Sequence, residues 1–168
     1  MTRLLAFDTS TELMSIALCL SDDCLLFEGA GGAEASARLL PELHALLARG
    51  GCTLQQLDAI GFGRGPGAFT GLRSACAVAQ GLALGAGKPV LPLDSLLLVA
   101  IDALAQRGDN HDDSGGDFDV WVAMDARIDE IYAGRFRCAG GRWSTLVAPE
   151  LTRPEALNAR WQLFQMAG

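Results

Sequence analysis

The chain opens on a short apolar run, Leu4-Leu5-Ala6-Phe7, that stops at Asp8. Such a run bounded by a polar turn predicts a buried central strand. After the turn Asp8-Thr9-Ser10-Thr11-Glu12, apolar residues return at every second position, Met14, Ile16, Leu18 and Leu20. A period of two predicts a strand with one buried face. Ser21-Asp22-Asp23 makes a second turn and Cys24 to Glu28 a third strand, so the N-terminal segment reads as an antiparallel meander. From 34 to 49 the period changes to that of a helix. Leu39, Leu40, Leu43, Leu46 and Leu47 share one face, Arg38, Glu42 and Arg49 lie opposite, and Gly50-Gly51 closes the helix.

A short strand, Asp58 to Phe62, leads into the loop Gly63-Arg64-Gly65-Pro66-Gly67-Ala68-Phe69-Thr70-Gly71. A helix is predicted from Leu72 to Ala86. One face carries Leu72, Ala75, Cys76, Ala79, Leu82 and Ala83, and the other Ser74, Ala77, Gly81 and Gly85. A helix that is small or apolar all round is expected to be buried on both sides, and its second face suits the close approach of another helix. Pro89 to Leu93 is a further strand and Ser95 to Gln106 a further helix. Residues 108–117, rich in Asp, Gly and Asn, read as a flexible loop. Phe118 to Met124 and Glu130 to Arg137 pair around the acidic turn Asp125-Ala126-Arg127, and Trp143 to Val147 adds a third strand. Pro154 suits the first position of a final helix, with Thr152 near its N-cap. The order predicts an α/β chain with a mixed sheet flanked by helices. Strand, acidic turn, strand occurs twice, around Asp8 and Asp125, too briefly to prove a repeat.

Half of the 168 residues are apolar and 20% are charged, enough for one domain or two small lobes. The net charge of −7, with no basic run, makes the chain a poor direct ligand for RNA, whose phosphates are bound by Lys and Arg. Any service to RNA is expected to pass through a partner. Five cysteines stand at 19, 24, 52, 76 and 138, with no Cys-x-x-Cys. Cys19 and Cys76 lie in apolar runs, so the expectation is a reducing compartment and no structural disulfide. His44 and His111 are too far apart in sequence for zinc-ligand spacing, and no metal is expected. Asp8 interrupts the first apolar run, which excludes a signal-peptide core there. No stretch reaches the roughly 18 uncharged apolar residues of a membrane span. A cytoplasmic protein is expected.

Three places carry candidate chemistry. Asp8, Thr9 and Ser10 end a buried strand, where a carboxylate can hold a hydrated metal ion and hydroxyls and N–H groups can meet phosphate. The plainer reading, which the residue types favour, is a turn. Gly65, Gly67 and Thr70 precede a helix, whose N-terminus attracts anions. The loop lacks the Walker lysine and the dinucleotide Gly-x-Gly-x-x-Gly, and reads equally well as a connector with Thr70 as N-cap. Asp125, Asp129 and Glu130, around Arg127, offer carboxylates for acid–base or metal work, but a solvated hairpin turn with an Asp–Arg pair is the stronger reading. No catalytic nucleophile with a base stands out.

Taken together the segments are more specific than singly. Leu5-Ala6-Phe7-Asp8-Thr9-Ser10-Thr11, Arg38-Leu39-Leu40-Pro41, Leu57-Asp58-Ala59-Ile60, Gly65-Pro66-Gly67-Ala68-Phe69-Thr70-Gly71-Leu72-Arg73, Gly81-Leu82-Ala83, and Asp125-Ala126-Arg127 with Glu130 and Tyr132 run in one order. In this the chain resembles the TsaB (YeaZ) family. The resemblance covers residues 3 to about 137, and the Gly-Pro-Gly-Ala-Phe-Thr-Gly-Leu-Arg segment is its most diagnostic part. It implies an actin-like, ribonuclease-H-like ATPase fold with lobes at 1–107 and 118–168, the second incomplete because family members continue further. It implies a non-catalytic subunit that dimerises with the catalytic paralogue TsaD, assisted by the ATPase TsaE. That complex installs threonylcarbamoyl on the adenosine beside the tRNA anticodon. A homodimer is implied when TsaD is absent, and tRNA is met only indirectly. The two metal-binding histidines of TsaD fall at Asp94 and Leu98 here. No cofactor is implied except ATP or ADP at a complex interface. The implied partner surface comprises Arg38, Glu42, Arg73, Ser74, Ala77, Gln80, Gly81 and Leu84. Two departures from the family pattern are Ala35 in place of a His and Ala68 in place of a Ser. The alternative function is an actin-like ATPase or small-molecule kinase using the Asp8 turn and the Gly65–Gly71 loop. A metallopeptidase finds no ligand set in these residues.

Overall fold

The computed structural model describes residues 2–21, 23–108 and 117–166. The expected flexible loop at 108–117 therefore falls almost wholly outside the described residues. The chain divides into two compact units, Met1–Ser95 and Leu96–Gly168.

The first unit contains β1 (Arg3–Asp8), β2 (Leu13–Leu20), β3 (Asp23–Ala30), α1 (Ala35–Arg49), β4 (Ala59–Gly63), α2 (Phe69–Ala86) and β5 (Val90–Leu93). Its sheet runs β3-β2-β1-β4-β5. The first three strands are antiparallel, β4 pairs in parallel with β1, and β5 in parallel with β4. The alternation in β2 has its predicted effect: Met14, Ile16 and Leu18 are buried together with Leu5 and Phe7 of β1. Leu39, Leu43, Leu46 and Leu47 of α1 and Ala75, Ala79 and Ala83 of α2 complete that core. Each fully buried leucine or isoleucine there contributes about 1.5–3 kcal/mol. Leu40 departs from its expected place. It lies one residue beyond the buried row and is 41% exposed. Cys76, expected inside, is half-buried.

The second helix of this unit begins at Phe69, three residues earlier than its apolar period suggests. Ala68 is the N-cap and makes no side-chain capping bond, so Thr70 is not the cap. The start is set instead by one tertiary hydrogen bond and the first bond of the helix itself. The Ala68 N–H donates to the Ser10 carbonyl at 2.7 Å, and the Leu72 N–H to the Ala68 carbonyl at 3.0 Å. The absence of disulfides is also overturned. Cys19 and Cys24 face each other in the β2–β3 register, with their Cα atoms 4.1 Å apart, and are bonded. Hairpin pairing, which the spacing of cysteines alone does not display, brings them together.

The second unit holds nearly all of α3 (Ser95–Gly108), then β6 (Phe118–Arg127), β7 (Glu130–Ala139), β8 (Arg142–Thr152) and α4 (Pro154–Met166). Its three strands form an antiparallel meander in chain order. Leu96 and Ala100 of α3 pack with Val122 and Phe136 to form a small core. Asp119 accepts two hydrogen bonds from Arg135, at 2.8 and 2.9 Å, on the neighbouring strand. Pro154 is the first residue of α4, as expected. Of the expected Asp125–Arg127 pairing, the structure shows the Arg127 N–H donating to Asp125 Oδ1 at 3.3 Å.

Ile128 and Asp129 form the two-residue turn between β6 and β7, and both have positive φ, 55° and 59°. Such turns favour Asn-Gly, because a β-branched residue is strained there. Ile128 is also 92% exposed, so no packing offsets the strain. Ile128→Asn is expected to stabilise the second unit by about 1 kcal/mol. An unchanged or lower urea midpoint by tryptophan fluorescence would count against that strain.

Candidate functional site

β1 delivers Asp8 to the end of the sheet, and the next two residues turn inward, with Thr9 and Ser10 only 1% and 4% exposed. The Asp8 carboxylate and the Thr9 hydroxyl are both bonded inside the first unit. Asp8 Oδ1 accepts the Ser10 N–H at 2.6 Å, and Oδ2 accepts the Ser95 hydroxyl at 3.3 Å. The Thr9 hydroxyl donates to the Gly71 carbonyl at 2.7 Å.

The glycine loop closes over this turn. A Cβ placed on Gly63 would stand 2.0 Å from Asp8 Oδ2, and one on Gly71 1.8 Å from the Thr9 carbonyl oxygen. On Gly67 it would meet Ser10 at 2.5 Å. The Ser95 N–H donates to the Gly65 carbonyl at 2.9 Å, tying the start of α3 to the same loop. Thr70, by contrast, is exposed on the first turn of α2. Sequence reasoning grouped Asp8, Thr9, Ser10, Gly65 and Gly67, which the structure does bring together. It missed Gly63 and Ser95 as partners of the turn, and took Gly71 only as the end of the loop. The signal for the glycines is their recurrence at every fourth position, 63, 67 and 71, which is visible but not interpretable without the pairing of β1 with β4.

The second group of candidates lies on α1 and α2. Ser36 and Ser74 share a hydrogen bond of 2.8 Å that joins the two helices. Arg38 pairs with Glu42 along α1 at 3.1 Å. The Arg73 guanidinium lies 3.8 Å from the centre of the Phe69 ring. Further along α2, Ala77, Gln80, Gly81 and Gly85 are exposed, and Leu84 is 87% exposed. A Cβ on Gly81 or Gly85 would meet nothing within 4 Å. The expectation that both faces of this helix are buried therefore fails in the single chain, where Ala75, Ala79 and Ala83 face the sheet and the opposite stripe stands open. Asp94 forms an ion pair with Arg64 at 3.4 Å, and Leu98 is 38% exposed on α3. Asp125, Arg127, Asp129 and Glu130 lie at the β6–β7 turn of the second unit. No helix among the described residues is long and apolar enough to cross a membrane.

A meander whose first strand ends in an acidic turn, joined in parallel to β4 and β5 under two helices, and then a second meander, define an actin-like, ribonuclease-H-like α/β protein. Comparison with known proteins narrows this. The family model described as TsaD, tRNA N6-adenosine threonylcarbamoyltransferase, matches residues 32–164. The chain is 36% identical over 165 residues to the tRNA threonylcarbamoyladenosine biosynthesis protein TsaB of Haemophilus influenzae, covering 92% of this chain and 66% of that one. It is 34% identical over 167 residues to the TsaB of Escherichia coli, covering 99% and 68%. Among solved structures, YeaZ from Pseudomonas aeruginosa superposes with a TM-score of 0.80 at 38% identity, over 92% of this chain and 68% of that one. A second, described as an uncharacterized protein with similarity to peptidase YEAZ from Pseudomonas aeruginosa, gives 0.77 at 41% identity, with the same coverage. The chain belongs to the TsaB/YeaZ family. It spans about two thirds of the length of the curated relatives it matches.

Proposed function

We propose that the chain is a non-catalytic scaffold in the biosynthesis of threonylcarbamoyladenosine on tRNA, working in the cytoplasm by binding and activating a TsaD-type catalytic subunit. The observation that carries this reading is the open stripe of α2. Ala77, Gly81, Leu84 and Gly85 present a surface that is apolar yet almost flat. Small residues let a partner helix approach closely, and Leu84 offers an anchor of the kind that dominates interface energy. Arg38, Glu42, Arg73, Ser74 and Gln80 complete the proposed surface. The Ser36–Ser74 bond supports it by holding α1 and α2 in one arrangement before a partner arrives.

The net charge of −7 supports contact with tRNA through the partner and not through this chain. The interlocked turn supports a scaffold over a kinase. Asp8, Thr9 and Ser10 with Gly65, Gly67 and Thr70 are proposed to be remnants of nucleotide loops. Their polar groups, Thr70 aside, now hold the first unit together. ATP or ADP then has a place only at a complex interface. A homodimer through the same stripe is proposed for the chain alone, and a TsaE-type ATPase as a further member of the complex.

Light scattering of the chain alone and mixed with a TsaD-type subunit tests the reading. A homodimer replaced by a one-to-one complex is expected, and Gly81→Trp should lower the affinity of that complex by about 30-fold or more, the scale of a hot-spot loss. Unchanged affinity in Gly81→Trp would remove the α2 stripe from the interface. Magnesium-dependent ATP hydrolysis by the lone chain, lost in Asp8→Ala, would favour the kinase reading instead.

A further inference from the structure

At the end of the first sheet remote from the Asp8 turn lies a cavity of about 380 Å³. This is within the roughly 300–1,000 Å³ of small-molecule sites. Its walls differ in charge. In the strand register Arg3 stands opposite Leu20, and Leu20 opposite Asp23. Register partners share a face, so Arg3 and Asp23 flank Leu20 two strands apart, about 9–10 Å between backbones. They do not bridge. Among the described residues, neither the Arg3 guanidinium nor the Asp23 carboxylate has an ion pair or hydrogen bond. Arg3 is nonetheless half-buried.

Each charge has support on its own side. Beside Arg3, the Gln56 Oε1 accepts the Thr53 N–H and hydroxyl, which leaves the Gln56 amide NH2 without a partner. Asp58 is also near, but its carboxylate accepts the Arg3 backbone N–H at 2.7 Å. On the other side, Gly50 at the end of α1 sits over β2 and β3, where a Cβ would meet Leu18, Leu20 and Leu25. The C-terminal end of a helix carries partial negative charge and favours a cation. Gly51 follows with φ +60° and nothing within 4 Å of a Cβ, leaving that wall open.

We propose that this cavity binds a small zwitterion, an α-amino acid, with its carboxylate on Arg3 and Gln56 and its ammonium on Asp23 and the end of α1. A guanidinium takes a carboxylate through two parallel hydrogen bonds, and the dipole of the cavity orients the ligand. The site shares no residue with the α2 surface.

The test is calorimetric titration of the 168-residue chain with each of the free protein amino acids up to about 10 mM. The N-acetyl and amide forms of the tightest binder follow, each lacking one charge. Saturable binding of a free amino acid is expected, weakened at least tenfold in both blocked forms. Arg3→Gln should weaken the free amino acid tenfold or more and leave the amide form unchanged. Asp23→Asn should do the same while leaving the N-acetyl form unchanged, the outcome when each ligand charge acts only on its own side chain. Circular dichroism checks that both variants fold, and the blocked ligands test the idea on the unaltered chain. No saturable binding of any amino acid, or blocked forms that bind as well as the free one, overturns the proposal.

Discussion

Gly71→Ala is expected to cost the first unit about 3–5 kcal/mol, a large share of the roughly 5–15 kcal/mol that stabilises a domain. The added Cβ would stand 1.8 Å from the Thr9 carbonyl oxygen, which is backbone and cannot swing aside. Moving α2 away would stretch the buried hydrogen bond from the Thr9 hydroxyl to the Gly71 carbonyl. Overpacking costs about 1–3 kcal/mol or more, and a lost buried hydrogen bond about 1–3. Ten residues along the same helix the sign reverses. In the single chain a Cβ on Gly81 meets nothing within 4 Å, so Gly81→Ala is expected to stabilise the monomer by roughly 0.5–1 kcal/mol through helix propensity. Urea unfolding followed by far-ultraviolet circular dichroism compares the two. Similar midpoints for both variants would show that α2 does not rest on the Asp8 turn as described.

Phe136→Ala is expected to remove about 3–5 kcal/mol from the second unit. Phe136 is fully buried, and among the described residues the small core around it holds only Leu96, Ala100 and Val122 as its other buried members. Trp121, Trp143 and Trp161, the three tryptophans of the chain, all lie in this unit. Their fluorescence therefore reports its unfolding, while circular dichroism reports both units. The tryptophan midpoint should fall sharply in Phe136→Ala, with a later dichroism transition retained from the first unit. A single transition moved equally in both signals would mean that the units unfold together.

Local order was readable from the sequence where one period ruled. The alternation of Met14, Ile16 and Leu18 gave β2 its buried face, and Leu39, Leu43, Leu46 and Leu47 gave α1 its own. What escaped depended on residues far apart. Thr9 and Gly71 are separated by 62 positions, and their contact follows from β1 lying beside β4, which no periodicity reveals. The start of α2 at Phe69 escaped for the same reason, since the Ser10 carbonyl fixes it. The Cys19–Cys24 bond depends on hairpin register, and the apolar setting of Cys19 pointed the other way. Ala68-Phe69-Thr70 could be recognised as part of a family pattern, but that glycines 63, 67 and 71 all face one turn is a three-dimensional fact.

The pairing of β1 with β4 also sets a clock. Arg3 is bonded to Asp58, 55 residues later, whereas β6, β7 and β8 pair only with their sequence neighbours. A meander closes in microseconds, but a strand cannot pair with one that has not yet been made. At roughly 5–20 residues per second, a ribosome needs about 3–11 s to add those 55 residues. Through that interval the nascent β1–β2–β3 meander has one edge of β1 unpaired and the apolar side chains of Leu5 and Phe7 without α2. The first unit is thus the earlier half of the chain to be synthesised but the slower sheet to close, and the interval of exposure is when a chaperone has most to bind.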